Sequence, residues 1–67
     1  MNIETIKNGF NFNNITYLFE GDIEIISESQ CYAPTNDGII LLDLTCTINK
    51  VEYTDINLFV EALNNEN

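Results

Sequence analysis

Residues 39–65 read IILLDLTCTINKVEYTDINLFVEALNN, and the two periods in this stretch decide the fold. Ile40, Leu42, Leu44, Cys46 and Ile48 alternate with Leu41, Asp43, Thr45 and Thr47, the period of a half-buried strand. Asn49-Lys50 suits a two-residue turn, because Asn tolerates the positive φ that hairpin turns require. That turn sets Ile48 opposite Val51 and Cys46 opposite Tyr53, so the apolar positions of both strands share one face. The period then changes. Ile56, Phe59, Val60 and Leu63 fall at i, i+3, i+4 and i+7, which predicts a helix over roughly residues 54–64. Thr54 or Asp55 serves as N-cap, and Asp55 also lies well at the positive end of the helix dipole. Asn64-Asn65 is the expected stop, with Glu66-Asn67 fraying beyond it. So short a helix does not hold alone in water and has to dock.

Upstream, Ile15-Thr16-Tyr17-Leu18-Phe19 and Ile23-Glu24-Ile25-Ile26-Ser27 flank Glu20-Gly21-Asp22, a second hairpin signal. A two-residue Gly-Asp loop would set Phe19 against Glu24. A three-residue loop sets Phe19 against Ile23 and Tyr17 against Ile25, and register follows the buried face, so the longer loop is expected. Ala33 to Gly38, with Pro34 and Asp37-Gly38, reads as the main internal loop. Phe10-Asn11-Phe12 suits a short edge strand, and Ile3 and Ile6 equally suit the start of a brief helix. The expected class is α+β, in a single small domain over residues 1–67. It comprises an antiparallel sheet of three to five strands with two hairpins, and one C-terminal helix packed on one face.

Eleven Asp and Glu stand against two lysines, with no arginine and no histidine, for a formal charge of −9. Eleven Asn and ten Ile suggest an AT-rich coding bias that should also supply lysine, yet only Lys7 and Lys50 occur. The acidity therefore reads as a selective removal of basic residues. Such a surface repels polyanions and invites cationic partners. Direct nucleic-acid binding is disfavoured, because phosphate neutralisation needs the missing lysines and arginines. The absence of histidine removes the commonest general base and the commonest zinc ligand.

Cys31 and Cys46 have neither CxxC nor metal-ligand spacing. Cys46 reads as a small core residue, Cys31 is left open, and a reducing cytoplasm is the expected home. Met1-Asn2-Ile3-Glu4 has no basic leader character, and no apolar run reaches membrane-span length. Asn14-Ile15-Thr16 matches the glycosylation pattern, which chance explains in an Asn-rich chain. With 45% hydrophobic residues the chain is too apolar to be disordered. A chain of this size buries only about 60% of its unfolded surface, so its core is small.

Glu20, Asp22, Glu24 and Glu28 share parity. Along an extended strand they project from one face at about 6.6 Å intervals, close to the spacing of phosphates along a nucleic-acid strand. Asp43 joins them from the neighbouring strand. A solvated face accounts for most charge runs, and the depletion of basic residues tilts this one toward function. If Ile15, Tyr17, Phe19, Ile23 and Ile25 meet the helix, Leu18 and Ile26 lie on the other side, as do Ile39 and Leu41. One helix does not cover two sheet faces. These four are either an apolar interface, for a partner or a second copy, or they are covered by residues 1–12 with Phe10 and Phe12.

Paired carboxylates for sugar hydrolysis need a cleft that so small a domain seldom provides. There is no Gly-rich phosphate loop and no nucleophile motif. Thr35-Asn36-Asp37-Gly38 matches part of a calcium loop, but Ala33 and Leu44 then stand where the first and last ligands belong. The expectation is no enzyme, no catalytic residue, no cofactor and no metal.

In size, acidity, Asn and Ile richness and lack of catalytic residues, the whole chain resembles the small inhibitors encoded by phages of low-GC bacteria. These include anti-CRISPR proteins, anti-restriction proteins and uracil-DNA glycosylase inhibitors, several of which look like DNA. The resemblance is compositional, so no family residue carries over. It implies a stoichiometric inhibitor in the bacterial host cytoplasm, bound to a basic nucleic-acid-binding enzyme or effector. A small structural or adaptor module that homo-oligomerises through its sheet is the alternative, and sequestration of a small ligand at a subunit interface is a third.

Overall fold

Asparagine does much of the turning in this chain. Among the described residues, five non-glycine ones take positive φ (Asn8, Asn13, Asn14, Asn49 and Lys50), and four of them are Asn. Asn enters this region readily because its short amide bonds locally to the backbone. The computed structural model describes residues 1–65 and has the expected α+β class, with the strands divided between two sheets.

The first sheet begins as a meander of β1 (Asn2–Ile6), β2 (Gly9–Phe12) and β3 (Ile15–Leu18). Antiparallel pairs join β1 to β2 and β2 to β3, and β7 (Thr47–Ile48) adds to β1 in parallel, for the order β3-β2-β1-β7. The second sheet, β4 (Glu24–Ile25), β5 (Gln30–Thr35) and β6 (Gly38–Asp43), is antiparallel in the order β4-β5-β6. A bridge from Phe19 to Thr35 ties the sheets, with Glu20 N–H donating to Pro34 C=O (2.9 Å) and Asn36 N–H to Leu18 C=O (3.0 Å).

Helix α1 (Ile56–Asn64) closes the core as expected. Asp55 is the N-cap, its carboxylate accepting the Asn57 N–H at 2.8 Å. Ile56, Phe59 and Leu63 are buried and Val60 is half-buried. The expected fraying at Glu66-Asn67 lies outside the described residues.

The turn at Asn49-Lys50 forms, with Ile48 bridged to Val51. The long strand through residue 48 does not: it breaks after Asp43. The Asp43 carboxylate accepts the Thr45 hydroxyl and the Thr45 N–H (2.9 Å), and Cys46 N–H donates to Asp43 C=O. This local turn competes with the ladder and sends the chain to the other sheet. There Thr47 and Asn49 donate to the carbonyls of Met1 and Ile3. Pairing of Cys46 with Tyr53 is absent, because Tyr53 leaves the hairpin to meet Phe59 edge-on at 6.4 Å. Asn49 also reaches the buried Thr5, accepting its N–H (3.1 Å) and donating to its hydroxyl (2.9 Å).

Three further expectations are corrected. The hairpin across Glu20-Gly21-Asp22 does not form in either register. Asn13-Asn14, both at positive φ, instead fold β3 onto β2 and stack Tyr17 on Phe10 at 5.2 Å. A two-residue turn of this type matches strand twist, and it places two aromatics on one buried face. Residues 33–38 are not an open loop but the end of the β5–β6 hairpin, turning at Asn36-Asp37 with Gly38 at φ +93°. Pro34 is tolerated inside β5 because it opposes Ile39 at a position where β5 and β6 exchange no hydrogen bond. Finally, residues 2–6 are a strand rather than a helix, and β2 is an inner strand rather than an edge, with Phe10 fully buried.

Candidate functional site

The β4-β5-β6 sheet has one covered and one open face. Strand alternation turns Cys31, Ala33 and Leu42 inward, where all three are buried. The open face is built in rows by the register: Glu24, Tyr32 and Leu41 in one, Gln30 and Asp43 in the next, Pro34 and Ile39 in a third. The bridge beside Pro34 adds Glu20 to that third row. Ile26 shares the parity of Glu24 and donates its N–H to Gln30 C=O at 3.0 Å, which places it on the same face. Leu18 faces away from the buried Tyr17 and continues this surface past the hairpin tip, where its N–H donates to Asn36 Oδ1.

Of the sequence-predicted residues, Glu20, Glu24, Asp43, Leu18, Ile26, Ile39 and Leu41 therefore share one surface. Its aliphatics are open: Ile39 is 68% exposed, Leu41 57%, Ile26 49% and Leu18 45%. The alternative in which residues 1–12 cover them is overturned, since that segment forms β1 and β2 of the other sheet.

The evenly spaced carboxylate row is a second correction. Of the run from Glu20 to Glu28, only Glu24–Ile25 is strand. Asp22 sits in the connection before β4, and Glu28 sits in a bend held by Ser29 N–H donating to Ser27 Oγ. Glu28 instead lines a shallow concavity with Thr54, Asp55, Ile56 and Asn57 at the start of α1. The chain bends at both ends of β4, so a shared parity no longer means a shared face.

Tyr32 was missed in the sequence. It stands at the centre of the open face and its hydroxyl donates to Glu24. Alternation through Gln30, Cys31, Tyr32 and Ala33 carried that signal, but the loop expected from Ala33 to Gly38 left too short a run before it to read as a strand.

The charges are segregated. Lys7 lies in the β1–β2 turn and Lys50 in the turn after β7, so the second sheet carries no basic residue. The Thr45 hydroxyl and N–H hold the Asp43 carboxyl below the usual carboxylate range. Among the described residues no cluster of three His, Cys, Asp or Glu is placed to hold a metal ion, and no helix is long and apolar enough to cross a membrane. A larger open concavity of about 500 Å³ lies elsewhere, on the first sheet beside Asn11, Phe12, Asn13 and Asn14.

Cys31 and Cys46 are both buried and free. Burial, then the nearby Cys46 and Asp43, push the Cys31 thiol up to about 11. A folded-state value above the unfolded one means stability is intact below the ordinary thiol range and is lost as pH climbs toward 11. Unfolding midpoints should thus fall between about pH 8.5 and 11, and Cys31→Ala should flatten that fall. A midpoint with the same alkaline slope in both chains would show that another group is responsible.

No protein-family model matches the chain, and neither a curated protein nor a solved structure matches it.

Proposed function

We propose that this chain is an acidic, non-enzymatic binding protein that blocks a bacterial nucleic-acid-binding enzyme or defence complex, as a phage-encoded inhibitor in the host cytoplasm would. One observation carries the reading: Glu20, Glu24 and Asp43 share the open face with exposed Ile26, Ile39 and Leu41, while both lysines lie on the other sheet. The carboxylates steer a basic surface toward this face, and the aliphatics are the groups whose desolvation holds it there. Mimicry here means matching the cationic lining of a groove with grouped carboxylates around an apolar centre, rather than with a phosphate-like row.

The test is kinetic. Nucleases, glycosylases and effector complexes of a low-GC bacterium are screened for loss of DNA binding on adding the purified chain. Association with the enzyme so found should be fast and should slow with salt, because exposed charges are screened over about 8 Å at physiological ionic strength. Replacing Glu20 and Glu24 together by Lys should slow association by about tenfold or more. Replacing Glu52 and Glu61 by Lys changes net charge equally from outside this face and should matter less. Equal slowing by both pairs means that only overall charge acts. No slowing by either means that the acidic surface merely solubilises.

A homo-oligomerising adaptor module is the second reading, favoured by the exposure of Ile39 and Leu41 on one strand. Sedimentation that stays monomeric at high concentration removes it.

A further inference from the structure

We propose that the free edge of β6 takes up an extended strand from the basic partner, which joins the β4-β5-β6 sheet as a fourth strand. The inference rests on the reading above for the partner's charge and adds how the partner is held.

The edge is open by the order of the sheet, in which β6 has β5 on one side only. The direction of its free groups follows from the ladder. Leu44 N–H donates to Ser29 C=O, while Gln30 C=O accepts from Ile26 on the β4 side and Pro34 C=O accepts from Glu20. Even-numbered β5 residues thus point their backbone away from β6, and their register partners Ile39, Leu41 and Asp43 point theirs outward. Among the described residues the N–H and C=O of Ile39 and Leu41 have no backbone partner from another element. The same two residues carry the most exposed aliphatic side chains of the open face. An apolar edge with unpaired backbone is a template for another strand, and chains that avoid such pairing protect it with lysine, proline or a bulge. This strand, Gly38-Ile39-Ile40-Leu41-Leu42-Asp43, has none of these.

Charge selects the occupant. A second copy would bring another −9 to the same edge. An incoming strand with apolar side chains beside Ile39 and Leu41, and lysine or arginine near Asp43, satisfies backbone, apolar surface and charge together.

The probe is a short synthetic peptide whose residues facing Ile39 and Leu41 are valines and whose residue facing Asp43 is lysine, with threonine at the positions between, added to the full chain and followed by residue-resolved amide hydrogen exchange. In the free chain the Ile39 and Leu41 amides should exchange fast and those of Ile40 and Leu42 slowly. The peptide should slow Ile39 and Leu41 by about tenfold or more. The same peptide N-methylated at the residues that face Ile39 and Leu41, whose N–H groups point at β6, should not, and the peptide with glutamate in place of lysine should bind far more weakly. Ile39→Lys changes an exposed side chain and should weaken peptide binding in a chain that stays folded.

Absence of binding, or binding that leaves Ile39 and Leu41 unprotected, overturns strand addition. Salt-dependent inhibition of an enzyme then still stands on its own. Equal binding of the glutamate peptide overturns the basic occupant. Protection that appears without peptide and grows with protein concentration overturns it in favour of a second copy.

Discussion

Phe59→Ala is expected to cost about 3–5 kcal/mol, the range for removing a buried aromatic from a core. Phe59 is fully buried on the inner face of α1 and meets Tyr53 edge-on, at the junction of helix and sheets. A domain of this length draws only about 3–5 kcal/mol of net stability from its core, so the variant should be largely unfolded at 25 °C. Thermal or urea unfolding followed by circular dichroism reads the effect. Leu58→Ala, one residue away but 53% exposed, should stay within about 0.5 kcal/mol of the parent. If the two variants unfold at the same midpoint, α1 does not close the core.

Gly9→Ala should be as damaging for a different reason. A Cβ at Gly9 would run into the Tyr17 carbonyl oxygen and lie 3.1 Å from Leu18 Cα. Those are backbone atoms of the paired strand and have no rotamer to yield. Relief requires parting β2 from β3 beside the Phe10–Tyr17 stack. Overpacking against movable side chains costs about 1–3 kcal/mol, and a clash with a ladder carbonyl should exceed that range. The expected result is loss of a cooperative unfolding transition. Gly21→Ala is the matched control, because its nearest neighbour is the Pro34 side chain at 3.4 Å and the residue is exposed. A Gly9→Ala chain that unfolds cooperatively at the parent midpoint would mean that β2 and β3 are not paired as described.

The open face was legible in its membership more than in its layout. Ile39 and Leu41 were readable as outward because they alternate with Ile40 and Leu42 within one strand. Leu18 was readable as outward although the hairpin used to place it does not exist, since it alternates against its own strand, whereas Ile26, one residue past β4, keeps its side through its N–H bond to Gln30 C=O. Glu28 was misplaced by the same logic carried past its range: parity holds only while the backbone stays extended, and β4 is two residues long. Tyr32 was lost because Pro34 and Gly38 signal a loop unless one knows that β6 returns alongside.

What this sequence determined by itself is what depends on neighbours along the chain. The buried stripe of α1, its Asp55 cap and the tight turn at Asn49-Lys50 follow from side-chain period and backbone φ preference, which act within a few residues. Only the tertiary structure decided that β3 pairs with β2, that β7 joins β1 in parallel and that two sheets form in place of one. An alternating strand specifies which face is apolar but not which strand lies beside it, because its hydrogen bonds are made with another segment. At Asp43 a local turn and a continued ladder competed for the same groups. The turn prevailed because the first sheet supplied Met1 and Ile3 as carbonyl partners for the chain that followed.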